Sequence, residues 1–371
     1  MKPKLVICYH YFLPAYKAGG PIQSIANLVR NLKSEFEFYI ICSNHDHNET
    51  ATLKNIEPNQ WSDFENGTAK VYYASKNNLL LKTFYGLFKP DVIFVNGLYS
   101  FWFTIVPLIF LKAHKIISVR GMLHPGALSQ KSLKKKLFLT ALKFSGITKN
   151  CTFHVTDEKE KEYTKMVFGE KAKIKIAPNF PSFLNPQTVN KKQGELNLIS
   201  IALVSPMKNH LLVLKSLSDA KQNINYRIYG PIKDSTYWEE CKTTIKSIPQ
   251  NVKVEYMGEI NPTKIEEALR WSHAFILPSK SENFGHAIVE ALSAGKPVIS
   301  SKNIPWNDLE THHCGFNIAP EDTNAMAEKI VYLANLGNDE YQLMSKNAAN
   351  YIRQKIDIAS TIRAYRELFS A

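Results

Sequence analysis

Short runs of apolar residues alternate along this chain with longer stretches in which apolar residues recur every three or four positions. The first kind of pattern predicts buried strands and the second amphipathic helices. Lys4-Leu-Val-Ile-Cys-Tyr is strand-like, Gly19-Gly20-Pro21 marks a turn, and Ile22 to Leu32 has helical spacing. Phe36 to Cys42, Val92 to Val95 and Ile116 to Val119 are further strands. The alternation pauses at Ile176-Ala-Pro-Asn-Phe-Pro-Ser and then restarts. Leu196 to Leu203, Tyr226 to Tyr229, Val252 to Tyr256, Ala274 to Leu277 and Pro297 to Ser300 predict strands. His210 to Ser218, Pro262 to Trp271 and Gly285 to Ala294 predict helices, and the charged stretch from about Tyr341 to Phe369 is helical.

Strands separated by helices predict parallel sheets covered on both faces. The expected fold class is therefore α/β, with two doubly wound, Rossmann-like domains. The segment from Pro178 to Gly194, rich in Pro, Asn, Gln and Lys, reads as the linker. That sets domains at 1–180 and 181–354, with a C-terminal helix over 355–371 packing back on the first. Ligands of such sheets bind at the carboxyl ends of the strands, so two facing domains put the expected site in a cleft between them. Val92 to Leu111 approaches the roughly 20 apolar residues of a membrane span. Asn96, Gly97 and Pro107 interrupt it, and a strand, a turn and a packed helix account for it.

Composition narrows the partners. The chain has 371 residues, 44% hydrophobic and 21% charged, as in an ordinary globular protein, but its formal net charge is +13. Such a balance implies an anionic partner: nucleic acid, acidic lipid or a phosphorylated substrate. No basic sheet with interleaved aromatics and no recognition helix is evident, so nucleic acid is not expected. The five cysteines are far apart with no C-x-x-C pair, which speaks against disulfides and zinc and fits a reducing, cytoplasmic compartment. The apolar run Leu5 to Tyr9 is too short for a signal peptide. His45-Asp46-His47 reads as solvated residues, and no metal is expected. Neither G-x-G-x-x-G nor a Walker A loop occurs.

The chemistry concentrates in Pro278-Ser-Lys-Ser-Glu-Asn-Phe-Gly-His-Ala-Ile-Val-Glu-Ala-Leu-Ser-Ala-Gly-Lys-Pro-Val-Ile. A strand leads into a loop with Glu282, and a helix starts near Gly285 with Glu290 inside it. A helix N-terminus offers unpaired N–H groups and partial positive charge, which is an anion site. Gly285 allows close approach to the backbone. Glu282 can accept hydrogen bonds from sugar hydroxyls, and Glu290, about two turns on, from a ribose.

Glu282 and Glu290 make an E-x7-E pattern, and the run around them resembles that of family 4 of the retaining GT-B glycosyltransferases. The resemblance implies that Glu282, with the backbone N–H groups of Asn283, Phe284 and Gly285, holds the transferred sugar of a UDP- or GDP-linked donor, while Glu290 binds the nucleotide ribose. Lys208, in Pro206-Met-Lys-Asn, would contact the donor phosphates. Gly19-Gly20 resembles the family's glycine loop near the donor diphosphate and acceptor. Tyr256-Met-Gly-Glu-Ile, with Gly258 and Ile260, resembles the loop near the base. Arg120-Gly-Met-Leu-His-Pro-Gly-Ala-Leu resembles the loop after the fourth strand of the first domain, where either Arg120 or His124 would face the acceptor. Family members retain anomeric configuration and need no metal or other cofactor.

One departure stands out. Many relatives carry Arg five residues before the phosphate-binding Lys, and Leu203 stands there here. This leaves open a non-catalytic nucleotide-sugar-binding scaffold on the same fold, or an epimerase. Finally, Lys131 to Phe144 combines a lysine cluster with apolar residues at helical spacing. It is either a core helix with a solvated lysine face or a helix whose basic face rests on anionic headgroups. The second option places the protein as a peripheral partner of the inner membrane face, working on a saccharide or lipid-linked acceptor in cell-surface polysaccharide synthesis.

Overall fold

The structure is a computed structural model that describes residues 1–75, 89–129 and 132–370. By internal contacts the chain divides into two compact units: Met1–Phe180 with the stretch from Ile358 onward, and Pro181–Asp357.

The first unit is built on an eight-stranded sheet in the order β3-β4-β2-β1-β5-β6-β7-β8. Its strands are β1 (Lys4–Cys8), β2 (Glu37–Ser43), β3 (Trp61–Phe64), β4 (Ala69–Ala74), β5 (Val92–Asn96), β6 (His114–Ser118), β7 (Cys151–Val155) and β8 (Ile174–Ile176). All neighbours run parallel except β3 against β4. The central strands are apolar on both faces because helices cover both. The helices of this unit are α1 (Gly20–Leu32), α2 (Val106–Phe110), α3 (Pro125–Ser129), α4 (Ser132–Phe144) and α5 (Glu158–Phe168). Pro21 sits in the first turn of α1, where its missing N–H costs nothing. Val92 to Leu111 is a strand, a single π-turn over Phe101–Ile105 and then α2. Among the described residues no helix is long and apolar enough to cross a membrane.

The second unit holds a six-stranded, all-parallel sheet in the order β11-β10-β9-β12-β13-β14. Its strands are β9 (Glu195–Ile201), β10 (Asn223–Tyr229), β11 (Val252–Gly258), β12 (Ala274–Leu277), β13 (Val298–Ser301) and β14 (Gly315–Ile318). Relative to its own first strand this is the 3-2-1-4-5-6 order of a doubly wound dinucleotide-type sheet. The covering helices are α6 (His210–Ser216), α7 (Ser235–Ile245), α8 (Ile265–Trp271), α9 (His286–Ser293), α10 (Thr323–Asn335) and α11 (Asn338–Lys355). Asp234 and Asp322 cap α7 and α10 by accepting from Tyr237 N and Ala325 N.

Two expectations need refinement. The segment Pro178–Gly194 carries no helix or strand, yet from Pro181 on it is bound along the second unit. Buried Lys191 donates from Nζ to Ala334 O at 2.7 Å, and Arg353 Nη2 reaches Leu184 O at 2.6 Å. Its polar composition rules out regular elements; it does not rule out contacts. The stretch from Tyr341 to Phe369 is not one helix. It breaks at Ile356-Asp357, where the chain leaves the second unit, and resumes as α12 (Ile358–Phe369). There Tyr365, Leu368 and Phe369 join the apolar cluster of Phe36, Phe94 and Phe180, and Arg366 pairs with Glu35 at 2.5 Å.

Candidate active site

The second sheet reverses its order between β9 and β12. Loops leaving adjacent strands diverge at such a switch point and open a crevice at the carboxyl ends. Lys208 lies on the loop after β9 and Glu282 on the loop after β12. Lys208 Nζ donates to Glu282 Oε1 at 2.5 Å, and Ser279 Oγ donates to the same oxygen at 2.7 Å. The two loops are tied together. Lys280 N donates to Met207 O at 2.9 Å, and Asn209 Nδ2 donates to Pro278 O and Pro320 O. Asn209 is left-handed at φ +62°, a conformation asparagine tolerates, and caps α6.

Gly285, at φ +74°, turns the chain into α9. Among the described residues the backbone N–H groups of Asn283, Phe284 and Gly285 have no acceptor. They precede a helix N-terminus with its partial positive charge, so an anion or a hydroxyl is their natural partner. Trp306 supports this loop from behind: its Nε1 donates to Phe284 O at 2.6 Å, and its ring meets the Phe284 ring edge-on at 5.5 Å. Sequence reading missed Trp306, because an isolated tryptophan has no spacing relation to Glu282.

Glu290 lies inside α9 and is buried. Its carboxylate has no hydrogen-bond partner among the described residues, and burial raises its pKa to about 8. An unpaired carboxyl group in such a place is costly unless a ligand hydroxyl satisfies it.

The neighbouring loops extend the same edge of the sheet. Gly258, at φ +74°, ends β11, and its carbonyl accepts from Gly230 N at 2.8 Å. Tyr256 Oη donates to Gly230 O at 2.8 Å. A Cβ on Gly230 would lie 2.0 Å from Ala202 O, so only glycine lets the loop after β10 approach the loop after β9 this closely. Ile260 packs against the cluster that contains Phe284 and Ile288. Lys208, Glu282, Asn283, Phe284, Gly285, Glu290, Gly258 and Ile260 thus all lie at the carboxyl side of one sheet or on the helix leaving it. Leu203 also follows β9 and brings no charge.

The remaining predicted residues belong to the first unit. Gly19 is left-handed at φ +76° and its carbonyl accepts from Ile22 N, while Gly20 opens α1. Arg120 follows β6 at φ +50°. Its Nε and Nη2 donate to Asn96 Oδ1 at 2.9 and 2.7 Å, and its Nη1 donates to Asn179 Oδ1 at 2.7 Å. The guanidinium is therefore a strut between the end of β5 and the end of the unit. His124 accepts from Gly126 N through Nδ1 at 3.1 Å, and its ring lies edge-on to Tyr163 at 5.4 Å. Buried Asp46 accepts from the N–H groups of Tyr16, Lys17 and His47. Among the described residues no group of three or more His, Cys, Asp or Glu is placed to hold a metal ion.

Comparison with known proteins covers the two units unequally. Residues 183–351 match the model of the family described as Glycosyl transferases group 1. The 2-deoxystreptamine N-acetyl-D-glucosaminyltransferase of Niallia circulans is 29% identical over 133 residues, 36% of this chain and 33% of that protein. The chain spans about a third of the length of the curated relatives it matches. Solved structures align over the whole chain. Sucrose-phosphate synthase from Thermosynechococcus elongatus gives a TM-score of 0.74 at 16% identity, covering 100% of this chain and 99% of that one. Anabaena HepE, crystallised with UDP and glucose, gives 0.72 at 14% identity, with 99% of each chain covered. The fold is that of the GT-B glycosyltransferases: two Rossmann-like α/β units, each on a largely parallel sheet. Residues 183–351 thus resemble the Glycosyl transferases group 1 family, and the solved structures share the fold.

Proposed function

We propose that this chain is a retaining, metal-independent hexosyltransferase that moves a sugar from a UDP- or GDP-linked donor to a glycan or lipid-linked saccharide. The observation that carries the reading is the Lys208–Glu282 pair at the switch point, beside the three unpartnered amides of Asn283, Phe284 and Gly285. A nucleotide sugar needs both kinds of group in one place. As the bond between the anomeric carbon and the diphosphate oxygen breaks, its electron pair stays on the diphosphate. Lys208 and the N-terminus of α9 stabilise that negative charge, which is electrostatic preorganisation. Glu282 accepts from hydroxyls of the departing sugar, and Glu290 accepts from the ribose. The acceptor hydroxyl attacks from the side the diphosphate leaves, and its proton passes to the leaving group. In the first unit we assign Gly19 and Gly20 to the donor diphosphate, and Arg120 or His124 to the acceptor. The setting we propose is the cytoplasmic face of a membrane, in cell-surface polysaccharide synthesis.

Leu203 supports a second reading. With one cation fewer after β9, the same site would hold a nucleotide sugar without turning it over. A thermal-shift screen of UDP- and GDP-sugars finds the donor, since a ligand of the native state raises its melting point. Transfer from that donor is then compared in the wild type and in Glu282→Ala. Under the transferase reading the variant keeps its fold and loses transfer. Donor binding with no turnover on any acceptor identifies the scaffold instead, and donor conversion without acceptor identifies an epimerase.

A further inference from the structure

A diphosphate leaving group carries more than one negative charge, yet Lys208, the cation at the switch point, is already engaged by Glu282 at 2.5 Å. Leu203 adds none. Arg227 on β10 is committed elsewhere: its Nε pairs with Glu255 at 2.9 Å, and its guanidinium lies 3.9 Å over the Trp271 ring. Lys280, after β12, lines a groove with Leu212 and Lys215 of α6 and Thr323 of α10. The lysines of α4 belong to the first unit, and Lys131, at the start of that predicted basic helix, lies outside the described residues. The expected division of α4 into one core face and one basic face is corrected too, because Leu133, Leu137 and Phe144 are exposed among its lysines. A different lysine, Lys233, stands beside Leu203.

Lys233 ends the loop after β10, one residue before the Asp234 cap of α7. That loop lies along the loop after β9. Val204 N donates to Pro231 O at 2.9 Å and Lys233 N donates to Val204 O at 3.1 Å, which pairs Val204 with Ile232 in a parallel bridge. Gly230 permits the approach, since any Cβ there would meet Ala202 O. Side chains alternate across such a pair, so Leu203 and Ser205 share one face with Pro231 and Lys233. Strands about 4.8 Å apart and a rise of about 3.3 Å per residue put Leu203 and Lys233 roughly 8 Å apart between Cα atoms, within the reach of a lysine stem. Val204 is buried in the core, whereas Lys233 is exposed, and its ammonium has no partner among the described residues. We infer that Lys233 supplies the second cation for the donor diphosphate, at the place where Leu203 brings no charge. The stem lies along the apolar Leu203 side chain and the ammonium meets the phosphate oxygens as a point charge. The inference rests on the transferase reading above and deepens it by a residue from a second loop.

Titration of the full chain with UDP, GDP and the two parent nucleosides tests it, followed by steady-state transfer from the donor. Lys233→Gln should weaken the nucleoside diphosphate about 10-fold, leave the nucleoside unchanged and lower kcat/KM about 10- to 100-fold, with the melting temperature of the free protein unchanged. Lys233→Glu should lose more, and Lys233→Arg should keep most of the activity. Leu203→Arg should restore most of the loss in the Lys233→Gln background and add much less to the wild type, because the two cations would serve the same oxygens. Lys233→Gln and Lys233→Glu variants within twofold of wild type in both measurements overturn the inference. An equal gain from Leu203→Arg in both backgrounds overturns it as well, since it would make the two positions independent. If Lys208→Ala loses diphosphate affinity and Lys233→Gln does not, this inference fails and the transferase reading stands. A wild type that binds neither nucleoside diphosphate overturns both.

Discussion

In the second unit, Lys208 and Glu282 meet at 2.5 Å beside three amides with no acceptor and near a buried carboxyl with no donor. In the first unit, the strongest cation at the carboxyl edge, Arg120, has all three guanidinium nitrogens bound to Asn96 and Asn179. Three amides without acceptors mark one region, while the Arg120 guanidinium of the other is hydrogen-bonded to two asparagines. The family match covers residues 183–351, within the second unit. Groups that wait for the same ligand sit on short contiguous loops. A strut that joins positions 96, 120 and 179 leaves no compact pattern behind.

The sharpest break of this comparison is Lys208→Ala. If the second unit holds the leaving group, kcat/KM for transfer falls about 100- to 1,000-fold, roughly 3–4 kcal/mol. Steady-state turnover of the donor measures it, and a loss under threefold would leave Lys208 as a surface residue. Arg120→Ala comes next and tests the opposite role. It leaves two asparagine side chains short of donors and should cost about 2–3 kcal/mol of stability. The nucleotide-induced thermal shift, a property of the second unit, should survive it. Loss of that shift would contradict the division of labour.

Glu290→Gln sharpens the comparison through pH. Burial holds the Glu290 carboxyl protonated up to about pH 8. In the unfolded chain it ionises near ~4.3. Between these values the folded state binds more protons than the unfolded state, so this group makes stability fall as pH rises through that window. Gln should flatten the fall and add on the order of 2 kcal/mol at pH 7.5, seen as a higher melting temperature than wild type at pH 7.5 but not at pH 4. Equal melting temperatures at both pH values would mean that the carboxyl has a partner. The smallest effect belongs to His124→Ala. A raised acceptor KM, less than about tenfold, with an unchanged donor KM would fit a peripheral acceptor contact.

The alternation of strands and helices was legible because β-strands buried on both faces and amphipathic helices write their periods locally. β3, β4, β7, β8 and β14 escaped, and length alone does not account for it, since β12 and β13 have four residues each and were read. In the site, Glu282, Asn283, Phe284, Gly285 and Glu290 stood out as one segment. Trp306 did not, because its role depends on a carbonyl 22 positions away. Sequence reading also left open which side of α4 faces out.

By itself the sequence determined where the loop turns into α9 and that Glu290 lies inside it, about one turn from its start, since helical spacing is set by neighbours in the chain. The tertiary structure decided that Lys208 reaches a glutamate 74 residues on, that Arg120 is hydrogen-bonded to Asn96 and Asn179, and that Leu133, Leu137 and Phe144 are exposed. Pairing and burial depend on which distant segments a fold brings alongside, and no local pattern contains that information.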